Sequence, residues 1–136
     1  MHDGHFVNHA LNDPLNRHVA FDFLEDRGGK LWVASPAGVS ELEGSHSRIV
    51  IPGGSQLNND AVVLCETRDS SLWAGTYGEG LWRLNNGQLR LYTVADGLSS
   101  NQIRSLVEGT DGTLWIGTFG GGLDALSCLL YTSRCV

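Results

Sequence analysis

Apolar and polar positions along the chain fall into short bursts with turn residues between them, and no helical stripe competes. Ala61-Val62-Val63-Leu64-Cys65 is an apolar run closed by Arg68-Asp69-Ser70-Ser71. Leu72-Trp73-Ala74-Gly75-Thr76 follows, then a turn at Tyr77-Gly78-Glu79-Gly80, then Leu81-Trp82-Arg83-Leu84. Asn86-Gly87 is a strong hairpin signal because both positions tolerate φ > 0. Gln88-Leu89-Arg90-Leu91-Tyr92 then alternates as a half-exposed strand does. The pattern predicts four strands, A to D, with A and B covered on both faces and D outermost.

This unit recurs. Trp32, Trp73 and Trp115 stand 41 and then 42 residues apart. Aligned on them, Glu25, Glu66 and Glu108 precede each Trp by seven residues, and a Leu precedes each by one. Gly38, Gly80 and Gly122, each followed by Val or Leu, open the next strand, with one turn residue fewer in the first block. A period near 42 residues with four strands per repeat fits the blade of a β-propeller, whose inner strands are buried between neighbouring blades. The fold class is therefore all-β, a partial propeller of about three four-stranded blades forming an arc of a larger ring, which is expected to have seven blades. Repeats run over about 18–58, 59–100 and 101–126, with 3–9 as the last strand of a preceding blade. Residues 127–136 lack the expected turn and alternating strand and read as a non-native or unstructured tail, so Cys128 and Cys135 are not taken as a pair.

Composition removes several functions. With 9 Lys+Arg against 15 Asp+Glu, the net charge is −6. No basic cluster is present to meet a phosphate backbone, so nucleic acid is excluded as a partner. No apolar run approaches the ~20 residues of a membrane span, and the N-terminus lacks the basic and apolar regions of a signal peptide. His5 and His9 on one side of an extended segment would stand ~13 Å apart, too far to share an ion. No metal or cofactor is expected. Cys65 reads as a small core residue.

The run from Asp96 to Leu123, with Asp-Gly-Leu, Asn-x-Ile, Glu-x-x-x-Gly-x-Leu-Trp-Ile-Gly-Thr and Gly-Gly-Leu, resembles the two-component regulator propeller repeat. Block two follows it in Leu72–Thr76 and block one more loosely in Leu31–Ser35. The resemblance implies a periplasmic or extracellular sensor region of a homodimeric membrane receptor. In that family the output is a histidine kinase working through a phosphorelay, or a diguanylate cyclase, and many members detect oligosaccharides. The remaining propeller blades would be this segment's nearest partners.

Positions constant across the blocks are expected to be structural: Glu25, Glu66 and Glu108 at the A–B turn, Trp32, Trp73 and Trp115 as buried wedges between blades, and the three glycines. Ligand contacts are expected where the blocks differ. The D–A and B–C connections share one face of a propeller and collect Asn16, Arg17, Asn59, Asp60, Asn101 and Gln102 with Tyr77, Glu79 and Phe119. Amides, carboxylates and aromatic rings suit sugar hydroxyls and ring faces. Two alternatives remain: a lyase or glycosidase on a propeller scaffold, which needs an asymmetric acid–base set, and a protein-interaction propeller.

Overall fold

The computed structural model describes residues 4, 6, 19–43, 46–52 and 60–127. The strand expected at 3–9, the candidates Asn16, Arg17 and Asn59, and the tail beyond Ser127 lie outside these residues. Among the described residues, eleven strands form three antiparallel sheets. The first holds β1 (Asp22–Glu25), β2 (Leu31–Ser35), β3 (Gly38–Glu43) and β4 (His46–Pro52) in chain order. The second holds β5 (Ala61–Glu66), β6 (Leu72–Thr76), β7 (Leu81–Asn85) and β8 (Gln88–Tyr92). The third holds β9 (Ile103–Glu108), β10 (Leu114–Thr118) and β11 (Gly122–Leu126). These are the A, B, C and D strands read from the sequence. Asn86 and Gly87 both take positive φ, as the β7–β8 hairpin requires.

Alternation along strand B decides how the sheets stack, because successive side chains point to opposite faces. Trp32 and Ala34 face forward and meet Ala61, Leu64, Leu72 and Ala74 of the second sheet. Trp73 likewise faces forward, against Ile103, Leu114 and Ile116 of the third. Both faces of the second sheet are thus covered, which accounts for the apolar character of β5 and β6. Cys65 packs with the second cluster, and burial, followed by the charge of Glu108, pushes its thiol up to about 11. It is a core thiol, not a reactive one.

One expectation is corrected. Trp32 and Trp73 are 6% and 0% exposed, but Trp115 is 39% exposed. Its ring points forward like the other two, and no described sheet covers that face. Val107 and Leu123 are exposed on the same sheet. The sequence reading also named no helix, whereas Val94–Asp96 forms a 3-10 turn. Thr93 and Asp96 close a reciprocal capping box around it, and Gly97 ends it in the left-handed region.

Candidate functional site

Two of the repeated glutamates, Glu66 and Glu108, act between blades. Glu66 of the second sheet accepts the backbone N–H of Arg27 in the first sheet's A–B turn, at 3.2 and 3.4 Å. Glu108 of the third accepts that of Arg68 in the second, at 3.0 and 3.2 Å. The arginines return the contact. Arg27 donates to the carbonyls of Arg68 and Thr67, and Arg68 donates to those of Gly109 and Thr110 while pairing with Glu108. Each clamp ties one blade's turn to the next. The sequence reading placed the glutamates at this turn but missed Arg27 and Arg68, whose signal was a shared place five residues before the Trp.

Indole N–H groups on this face find different partners. Trp32 donates to Asp26 at 2.9 Å and Trp73 to Thr67 at 3.0 Å. Burial raises the Asp26 pKa, but the bonds from Trp32, Lys30 and Gly28 outweigh it and leave the group below its ordinary value. Asp69 follows the same balance. Burial works against its charge, but donors from Thr67, Ser71 and Arg83 outweigh it and hold the carboxyl below its ordinary value. A depressed carboxylate pKa contributes stability that is complete above the unfolded value and is lost as pH falls through the folded one. Urea midpoints should therefore fall as pH drops below about 4, and Asp69→Asn should flatten that dependence. An unchanged slope in the variant would remove Asp69 from the acid response.

The opposite face carries the D–A and B–C connections, and hydrogen bonds hold them together. Tyr77 N–H donates to the Asp60 carbonyl and Phe119 N–H to that of Gln102, at 2.9 and 2.8 Å. Pro36 stands at the corresponding place in the first block and has no N–H to give. Tyr77 and Phe119 are both exposed. A cavity of about 350 Å³ is lined by Phe21, Asp60, Val62, Tyr77 and Arg104, at the lower end of small-molecule sites. The Arg104 guanidinium lies 5.9 Å from the centre of the Phe119 ring, joining that ring to the groove.

Of the expected ligand residues, the structure therefore brings Asp60 and Tyr77 into one groove, with Phe119 reached through Arg104. Three others have local duties. Glu79 accepts the Trp82 indole N–H at 3.3 Å. Asn101 accepts the Val94 N–H at 2.9 Å, shaping its own loop. Gln102 contributes its carbonyl to the Phe119 turn. Phe21, Val62 and Arg104 were missed by the sequence reading. Each stands eleven residues before a repeat Trp, so their variation at a fixed place was the available signal. Among the described residues no cluster of His, Cys, Asp and Glu could hold a metal, and no helix is long and apolar enough to cross a membrane.

Residues 97–120 match the two component regulator propeller family, so the chain carries a repeat of that family, as the Asp96–Leu123 pattern suggested. No curated protein sequence matches the chain. Among solved structures, the extracellular domain of a protein assigned as a hybrid two component system in B. thetaiotaomicron superposes with a TM-score of 0.70 at 24% identity, covering 83% of this chain and 16% of that one. PorZ, an essential surface component of the type-IX secretion system of Porphyromonas gingivalis, gives 0.68 at 20%, covering 90% and 19%. Virginiamycin B lyase of Staphylococcus aureus gives 0.59 at 14%, covering 88% and 44%. The chain spans less than a fifth of the first two proteins and under half of the lyase. At these identities the likeness establishes the fold: three successive blades of a larger propeller.

Proposed function

We propose that this segment is part of the ligand-sensing propeller of a membrane-bound two-component receptor, on the periplasmic or extracellular side, and that its ligand is an oligosaccharide. The observation that carries the reading is the contrast between the two faces. One holds repeated Glu–Arg clamps, and the other presents exposed Tyr77 and Phe119 beside a groove whose lining changes from blade to blade. Aromatic faces meet the apolar side of sugar rings, and Asp60 offers a carboxylate for hydroxyls. The groove takes residues from all three repeats, so a ligand there touches several blades at once. Binding that favours one blade arrangement over another shifts the receptor's equilibrium by that differential affinity, and dimer contacts relay it to a kinase or cyclase output. The segment itself performs no chemistry in this reading, so the sugar should be recovered unchanged.

The test is Tyr77→Ala with Phe119→Ala in the full-length receptor. Loss of the response to an activating oligosaccharide, with circular dichroism and melting unchanged, is the expected result. A retained response, or ligand mapped to the Arg27–Lys30 and Asn85–Gly87 side, would move the site to the other face. Cleavage of the ligand by the purified protein would favour a propeller enzyme instead.

A further inference from the structure

The groove is built by a repeated backbone irregularity. In the second sheet Ala61 pairs with Thr76 and Val63 with Gly75, so Val62 is an extra residue with no partner of its own. In the third, Ile103 pairs with Thr118 and Ser105 with Gly117, leaving Arg104 in the same situation. Phe21 holds the equivalent place immediately before β1, where its N–H donates to Ala34 while Asp22 pairs with that same residue. A bulge of this kind re-aims one side chain without disturbing the rest of the strand. Here it sets Phe21, Val62 and Arg104 side by side along the groove. The flanking residues Ala61 and Ile103 remain in the core.

Arg104 differs from the other described Lys and Arg side chains. Lys30 and Arg48 pair with Glu41, Arg68 with Glu108, Arg83 with Asp69 and Arg90 with Asp96. Arg27 is spent on two carbonyls. Among the described residues, Arg104 forms neither an ion pair nor a hydrogen bond. Its guanidinium makes a long approach to the Phe119 ring, which leaves the edge and its donors open. In a chain of net charge −6, an arginine at a re-aimed position with no ion pair among the described residues leaves its charge open to an external anion.

We infer that the bulge residue of each inner strand is the specificity position of its blade, and that Arg104 makes the ligand an acidic saccharide, its carboxylate or sulfate bound by the guanidinium. This deepens the oligosaccharide reading and rests on it. Phe21 and Val62 then contact the uncharged rings on either side. Asp60, in the same groove, repels an acidic group placed over it, so the charged sugar is held in register over the third blade. Arginine suits this task because its planar fork takes two oxygens of one acidic group at once.

The test titrates the full-length protein with tetragalacturonate, a sulfated chondroitin disaccharide, cellotetraose and maltotetraose, comparing wild type with Arg104→Gln and Arg104→Lys. The expected result is binding of an acidic probe that weakens about tenfold or more in Arg104→Gln. Arg104→Lys should recover part of it, and the acidic probe that binds tells carboxylate from sulfate. Neutral probes should bind more weakly and should not respond to the substitution. Since Arg104 forms no ion pair or hydrogen bond among the described residues and only a long approach to the Phe119 ring, the melting temperature should barely move. Neutral probes binding as well as acidic ones, or acidic binding indifferent to Arg104→Gln, would overturn the inference while leaving the oligosaccharide reading intact. Silence from acidic and neutral probes alike would overturn that reading and the inference with it.

Discussion

Replacing Trp73 with alanine is expected to remove about 3–5 kcal/mol of stability, the range for a buried aromatic truncated in a packed core. The side chain is fully buried, and its ring stands 5.6 Å from that of Tyr92 at a tilt of 33°. On its other side it meets Ile103, Leu114 and Ile116 of the next sheet. The indole N–H also loses its bond to Thr67, whose buried hydroxyl would then lack that donor. Truncation therefore opens a cavity between two blades and uncouples them. Trp115 holds the same place in its own repeat but is 39% exposed and faces no described sheet, so Trp115→Ala in this chain should cost less, about 1–2 kcal/mol. Urea unfolding of both variants measures the pair. A loss below about 1 kcal/mol for Trp73→Ala would contradict its placement between the sheets.

The frame was legible because repetition multiplies weak signals. A single Leu-Trp with a Glu before it means little, but three copies at a fixed period define strand order, register and the two loop faces. Trp115 shows the limit of that logic. Equivalence in sequence fixes the direction of a side chain, whereas its burial depends on what stands opposite. The clamps were half legible: Glu66 and Glu108 stood out by recurrence, but nothing along the strand reveals that each carboxylate serves the turn of the blade before it. Arg104 was hidden for a different reason. A bulge adds one residue to an otherwise alternating strand, and Ile-Arg-Ser-Leu reads as a simple strand until the pairing shows which residue is extra.

Constancy and variation are therefore divided between the faces by physical need. The A–B side must reproduce one inter-blade geometry at every step, so its carboxylate recurs. The inner-strand position is opposed by no cross-strand residue of its own, so Phe21, Val62 and Arg104 can differ in size and charge without disturbing the sheets. The lining of this groove can thus change without changing how the blades stand.

The turns joining strands B and C lie between these two demands, and Gly80→Ala should be about as damaging as a core truncation, costing about 3 kcal/mol or more. Gly80 has a φ of +118°, where an L side chain is strained. A methyl group there would also strike the carbonyl oxygen of Tyr92. That atom belongs to the β8 backbone, so no rotamer change relieves the clash. The turn cannot swing aside either, because Thr76 Oγ1 accepts the Glu79 and Gly80 N–H groups and donates to the Gly80 carbonyl. Moving β8 instead would disturb Tyr92 against Trp73. Gly122, the aligned glycine of the third repeat, has a φ of +86° and open space where its Cβ would go. Gly122→Ala should therefore cost only the backbone strain, about 1–2 kcal/mol. Equal losses in the two variants would mean that positive φ alone sets the requirement for glycine. A larger loss at Gly80 ties it to the covering outer strand, which makes the turn beneath Tyr77 rigid enough to hold an aromatic ring at the rim of the groove.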